Sequence, residues 1–133
     1  MLKRNKRFVI MLLTLALPFG CVGCSTGGST SYDQINGAEA KALMDSESGY
    51  IIIDARTQEE YDQGHIPGAI LIPEYEIADR AEKELSDKEQ LILVYCRSGR
   101  RSKIAAEELV KLGYTNVKEF GGIIDWEYEI VKD

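Results

Sequence analysis

Cys96, Arg97, Ser98, Gly99, Arg100 and Arg101 stand in one run, followed by Ser102, and the chemistry such a run supports is that of a stabilised thiolate. The run follows the apolar stretch 91–95 and precedes the amphipathic stretch 103–112, so a buried strand breaks at a cysteine and restarts as a helix. That places the sulfur at a helix N-terminus, where unpaired N–H groups, the positive end of the helix dipole and three arginines favour thiolate over thiol. An unperturbed cysteine has a pKa of about 8.5 and one so placed falls to roughly 3.5 to 7.5, which makes Cys96 the candidate nucleophile. Gly99 brings the freedom to take positive φ in a turn that its neighbours would enter only with strain. A buried strand-end cysteine beside a solvated helix start would explain a lone cysteine, but not this cluster of perturbing groups.

The elements that position the run are strands and helices that alternate from residue 32 onward. A short opening strand and cap at 35–36 leads into a helix over 38–45 with Ala40, Leu43 and Met44 inward. Residues 50–53 form a short apolar strand of the kind buried on both faces of a parallel sheet. Thr57 caps a helix running to Gln63, with Glu60 completing a capping box. Residues 64–68 turn the chain into a strand at 69–72. A helix over 77–85, the strand at 91–95, a helix over 102–112, a last strand at 117–120 and a terminal helix over 122–128 follow. Strands separated by helices predict a three-layer α/β domain, with helices on both faces of a parallel sheet and the site at the carboxyl ends of its strands.

The Cys96–Arg101 run resembles the active-site loop of the rhodanese family, the single-cysteine sulfurtransferases. Two further stretches carry the resemblance. Asp54-Ala55-Arg56, Glu60-Tyr61 and Gly64-His65-Ile66-Pro67-Gly68-Ala69 are similar to the family's upstream signature. Leu112-Gly113-Tyr114, Val117, Phe120-Gly121-Gly122 and Trp126 resemble its C-terminal ending, although Glu127-Tyr128-Glu129 replace the glycine-containing tail of many relatives. The resemblance implies a sheet of about five strands and a sulfurtransferase acting on an anionic sulfur donor such as thiosulfate. Sulfur would pass through a Cys96 persulfide to cyanide or a thiol, the latter including a thioredoxin-like protein. Residues 97–101 would bind the donor, and neither a metal nor an organic cofactor is implied. Asp54, Arg56 and Glu60 read as a charge network that supports the loop rather than as catalytic groups. His65 reads as a hydrogen-bonded turn residue, since an ionised thiolate needs no general base, and Trp126 as packing.

The N-terminus carries a different message. Lys3, Arg4, Lys6 and Arg7 precede an apolar stretch, 8–17, that is too short for the ~20 residues of a membrane span. Gly23-Cys24-Ser25 then resembles a bacterial lipoprotein processing site, with Cys24 as the acylated residue and Cys21 as the alternative. The expected organisation is a signal over 1–23, a Ser/Gly/Thr tether over 24–31 and one domain over 32–133. That domain would be exported and held by lipid on the outer side of a bacterial membrane; an ordinary secretory signal or an uncleaved anchor are the other readings. Seven tether residues reach about 15 Å. Cys21-Val22-Gly23-Cys24 has the spacing of a redox or metal pair but lacks a second ligand pair, and cleavage would leave Cys96 as the one free thiol.

Charge narrows the partners. The chain counts 16 Lys+Arg against 22 Asp+Glu, a net of −6, and without the four basic residues ahead of Cys24 the count is 12 against 22, a net of −10. Nucleic acid is a poor partner for such a body, because its binding rests on phosphate neutralisation. Arg97, Arg100 and Arg101 form a local positive focus suited to a small anion. Three other functions fit parts of the pattern. A phosphatase or arsenate reductase of similar fold places its arginine six positions after the cysteine, where this chain has Ser102. A non-catalytic binding or sensing module has no use for the cysteine, and a thiol-disulfide partner would need a resolving cysteine.

Overall fold

The unbroken apolar runs become the centre of the sheet. β4 (Ile92–Cys96) is buried at every position, and β2 (Ile51–Asp54) at all but its first. Strands covered by helices on both sides have no solvent face with which to alternate. The computed structural model describes residues 31–133. Its sheet has the order β1-β5-β4-β2-β3, with β1 (Asp33–Gln34), β3 (Ile70–Leu71) and β5 (Val117–Gly122) completing it and every pair parallel. The expected signal segment, the lipidation residue Cys24 and all of the tether except Ser31 lie outside the described residues. No described helix is long and apolar enough to cross a membrane.

Helices cover both faces, giving the expected three layers. α3 (Ile77–Glu84) and α4 (Arg100–Lys111) lay Ile77, Ala81, Ala105, Ala106 and Leu109 on Ile53, Ile92 and Val94. On the other face α1 (Gly37–Ser46) and α2 (Gln58–Gln63) bring Ala40, Leu43 and Tyr61 to Ile52, Leu93 and Tyr95. A fully buried side chain such as Leu109 gains about 2 kcal/mol from leaving water, so the strand ends are held by packing on either side. Capping boxes start both α1, through Asn36 and Glu39, and α2, through Thr57 and Glu60.

Most boundaries differ from the sequence reading by a single residue, and three differ by more. The opening strand is Asp33–Gln34 rather than 35–36, although the Ile35 N–H still donates to the Glu119 carbonyl. α4 begins at Arg100, two residues early, because Gly99 in the left-handed region (φ 105°) turns the chain directly into it. The expected terminal helix over 122–128 is instead the end of β5 and a single 3-10 turn, Ile123–Asp125, followed by extended chain. Trp126 leaves that turn extended because its ring lies against Phe120 and Tyr128 and its Nε1 donates to the Glu129 carbonyl. The last residues then pair with His65 through Val131.

Candidate active site

Cys96 is the last residue of β4 and is only 1% exposed. The chain leaves β4 and re-enters α4 after Arg97-Ser98-Gly99, and the Gly99 N–H turns back to donate to Cys96 Sγ at 3.0 Å. Ser102, in the first turn of α4, places its Oγ 3.3 Å from the same sulfur. Burial pushes the Cys96 thiol up, but the Ser102 hydroxyl and the N–H groups of Ser102, Gly99 and Ser98 outweigh it, so the thiol ionises below its ordinary value. The geometry therefore provides a thiolate cradle made of backbone N–H groups and one hydroxyl.

β5 is the floor of that cradle. Val94 lies opposite Glu119 but Cys96 lies opposite Gly122, so β5 carries one extra residue and bulges beneath the loop. A Cβ on Gly122 would stand 2.0 Å from the Arg97 carbonyl oxygen, which explains the glycine: the loop backbone rests directly on the strand. The Ile124 N–H continues the contact by donating to the same Arg97 carbonyl at 3.3 Å.

The three arginines do not act as the single positive focus expected of them. Arg101 is taken by Glu60, with Nη1 and Nη2 donating to Oε2 and Oε1 at 2.7 and 2.8 Å. The Arg101 fork, opposed by burial and helped by the Thr57 hydrogen bonds, lowers the Glu60 carboxyl to about 2. Arg97 and Arg100 are exposed and enter no ion pair among the described residues, leaving them as the cations open to an incoming anion.

The expected Asp54, Arg56 and Glu60 network is in fact two networks. Glu60 belongs with Arg101 and the Thr57 cap, one helix away from the others. Asp54, fully buried, takes Nη2 of Arg56 on Oδ2 at 2.7 Å and the backbone N–H of Arg56 on Oδ1 at 3.0 Å. The Tyr95 hydroxyl donates to the same Asp54 Oδ2 at 2.7 Å and accepts the Ile66 N–H at 3.1 Å, while Arg56 Nη2 also donates to the Gly64 carbonyl. This second network thus fixes the 64–68 turn to β2 and β4 and reaches Cys96 only through its neighbour Tyr95. His65 has the turn role expected of it: Nδ1 lies 3.0 Å from the Tyr61 carbonyl, its ring stacks on Tyr61, and its backbone pairs with Val131.

Two site residues escaped the sequence reading. In the sequence Ser102 stands out only as the residue where a phosphatase has arginine, and Glu119 is one position of the last strand. The structure brings Ser102 to the sulfur and Glu119 behind it: the Ser102 hydroxyl donates to Glu119 Oε1 at 2.6 Å. Glu119 follows Lys118 in a short strand, and nothing in that local sequence marks it as a buried carboxylate.

Comparison with known proteins agrees with this geometry. The family model for the Rhodanese-like domain matches residues 36–129. The chain is 44% identical over 73 residues to the thiosulfate sulfurtransferase PspE of Escherichia coli, covering 55% of this chain and 70% of that protein. It is 34% identical over 97 residues to the thiosulfate sulfurtransferase GlpE of Coxiella burnetii, covering 72% of this chain and 88% of that one. A solved structure described as a rhodanese with anions from E. coli superposes with a TM-score of 0.60 at 40% identity, over 63% of this chain and 99% of its own. With that family match over most of the described residues, and these relatives, the chain belongs to the rhodanese-like sulfurtransferase family.

Proposed function

We propose that the protein moves a sulfane sulfur from a small anionic donor of the thiosulfate type through a persulfide on Cys96. The Cys96 thiolate attacks the outer sulfur of the donor, a new S–S bond forms, and sulfite leaves with the electron pair of the broken S–S bond. A nucleophile, cyanide or a thiol, small or on a thioredoxin-like protein, then takes the outer sulfur and the Cys96 thiolate is restored. Backbone N–H groups of the loop hold the negative outer sulfur of the persulfide, and Arg97 and Arg100 attract the donor's sulfonate. Arg101, spanned by Glu60, acts chiefly to fix the start of α4. The observation that carries this reading is the Gly99 N–H at 3.0 Å from Cys96 Sγ, at the end of a central strand.

Intact mass after excess thiosulfate tests it. The chain should gain the mass of one sulfur atom and lose it again on adding cyanide, and Cys96→Ser should fold but gain none. Robust aryl-phosphate hydrolysis without that gain would instead support the phosphatase reading. We further propose that Cys24 is acylated and tethers the domain, through residues 24–31, to the outer side of a bacterial membrane. Cys24→Ala should leave an uncleaved precursor, whereas recovery of the wild type as a soluble unlipidated protein would reject the anchor.

A further inference from the structure

The point where the chain enters the domain and the mouth of the Cys96 cradle lie at opposite ends of the molecule. Every strand pair is parallel, so all five strands begin at one edge of the sheet and finish at the other. Cys96 ends β4 at the carboxyl edge, and its loop opens there. Asp33 opens β1 opposite Lys118, which lies opposite Leu93, three residues short of Cys96. Ser31 stands two residues further back, so it is offset from Cys96 by five residues along the strands, about 16 Å, and by two strand spacings across them, about 10 Å, or about 20 Å in all. α4 gives the same separation independently. It starts with Arg100 behind the Cys96 loop, whereas Ser31 and Tyr32 line a cleft with Glu107, Val110 and Lys111 in its last turns, about 15 Å along the helix. Tyr32 packs against the core cluster that holds Leu109 and Tyr114, which fixes the point of entry.

We propose that the membrane-attached domain presents Cys96 away from the bilayer, so that its sulfur donor and acceptor are both water-borne, and sulfur carried on a lipid headgroup is out of its reach. The inference rests on the acylation of Cys24 proposed above. Residues 25–31 average about 15 Å end to end and span at most about 25 Å when fully drawn out. With the mouth facing water, that length is slack. With the mouth against the headgroups, Ser31 is lifted about 20 Å above them, because the exposed Arg97 and Arg100 stand beyond Cys96, and the tether must also pass down the side of the domain. Only a tether drawn close to its limit does this, and a flexible chain has few such conformations. Charge does not offset that cost. Beyond residue 23 the chain counts 12 Lys+Arg against 22 Asp+Glu, so an anionic lipid surface does not attract the body.

The test uses the full-length chain with its own N-terminus, taken from bacterial membranes and inserted from detergent into preformed phospholipid vesicles. Flotation with the vesicles and the added mass of acyl chains on Cys24 establish the anchor first. Two alkylating reagents with the same reactive end are then compared: phosphatidylethanolamine iodoacetylated on its headgroup, and soluble iodoacetylated phosphoethanolamine. Modification is read on the Cys96 peptide by mass spectrometry, in the native chain and in a variant with about 30 Gly/Ser residues inserted between Gly27 and Gly28, which raises the mean reach of the tether to about 33 Å. The soluble reagent should modify Cys96 alike in both, and the lipid reagent should modify the lengthened chain at least about fivefold faster than the native one. Equal modification of both chains by the lipid reagent overturns the proposal, and so does failure of the soluble reagent to reach Cys96 on vesicles, since a mouth turned to water is open to it. A native chain that does not float removes the anchor and this inference with it, whereas one that floats and is modified from the lipid as fast as the lengthened chain removes this inference alone. Neither reagent is a sulfur donor, so the outcome is independent of whether the chain takes up sulfur.

Discussion

Replacing Glu60 by Gln removes one carboxylate that both caps α2 and spans Arg101, and its cost can be worked from the structure. The Glu60 carboxyl is lowered from 4.5 to about 2. At about 1.4 kcal/mol per pH unit that shift sets a ceiling of about 3.5 kcal/mol for its preference for the ionised form. The pair is partly open to water, with side-chain exposures of 21% for Arg101 and 25% for Glu60, so screening brings the expected loss to about 1 to 2 kcal/mol at pH 7. Gln can keep the Thr57 contacts on one oxygen, but its amide then faces Arg101 donor to donor. Because the folded-state value is depressed, the stabilisation is complete above about pH 4.5 and drains away as the pH falls toward 2; by pH 3 less than about half of it remains. Urea unfolding of the full-length chain, followed by the fluorescence of Trp126, its one tryptophan, provides the assay. The midpoint of Glu60→Gln should lie about 1 M below wild type at pH 7, and the gap should shrink by more than half at pH 3. A gap of the same size at both pH values, or none at pH 7, would refute the argument that the Arg101 fork is what lowers this carboxyl.

Two further substitutions follow from the buried contacts. Tyr95→Phe leaves the Ile66 N–H without its acceptor and Asp54 short of one donor in a fully buried setting, and should cost about 2 kcal/mol, or roughly 10 °C in Tm by calorimetry, with Cys96 itself untouched. Gly122→Ala drives a Cβ to within 2.0 Å of the Arg97 carbonyl, so the loop must lift from the strand; sulfur transfer should fall by more than about tenfold while far-UV circular dichroism still reports a folded sheet.

What could be read in advance followed from which physical signal dominated locally. β2 and β4 were plain because strands buried on both faces show as continuous apolar runs, and the α2 start was plain because Thr57 and Glu60 encode their own hydrogen bonds. Residues 122–128 have the spacing of a short helix, but the contacts that hold Trp126 and Val131 extended come from Phe120 and from His65, the latter far back in the chain. The loop cysteine and its glycine stand out by type and position. The split of the charge network does not, since whether Glu60 meets Arg56 or Arg101 depends on where α2 lies relative to α4. Glu119 was invisible for the same reason: on a short strand an acidic residue suggests a solvent-facing side, and only the seating of α4 on β5 puts Ser102 over it.

The contact between Gly122 and the Arg97 carbonyl also sets a limit on how this site can change. The aperture of the cradle is gauged not by the loop's own residues but by a strand some twenty positions downstream, which acts as a fixed anvil under it. A loop lengthened by one residue to admit a tetrahedral oxyanion would have no clearance below and would have to arch outward, carrying the Gly99 N–H away from the sulfur. Altering the substrate class therefore calls for coordinated change in two separate segments, and grafting a longer loop alone should yield a folded chain with an idle cysteine.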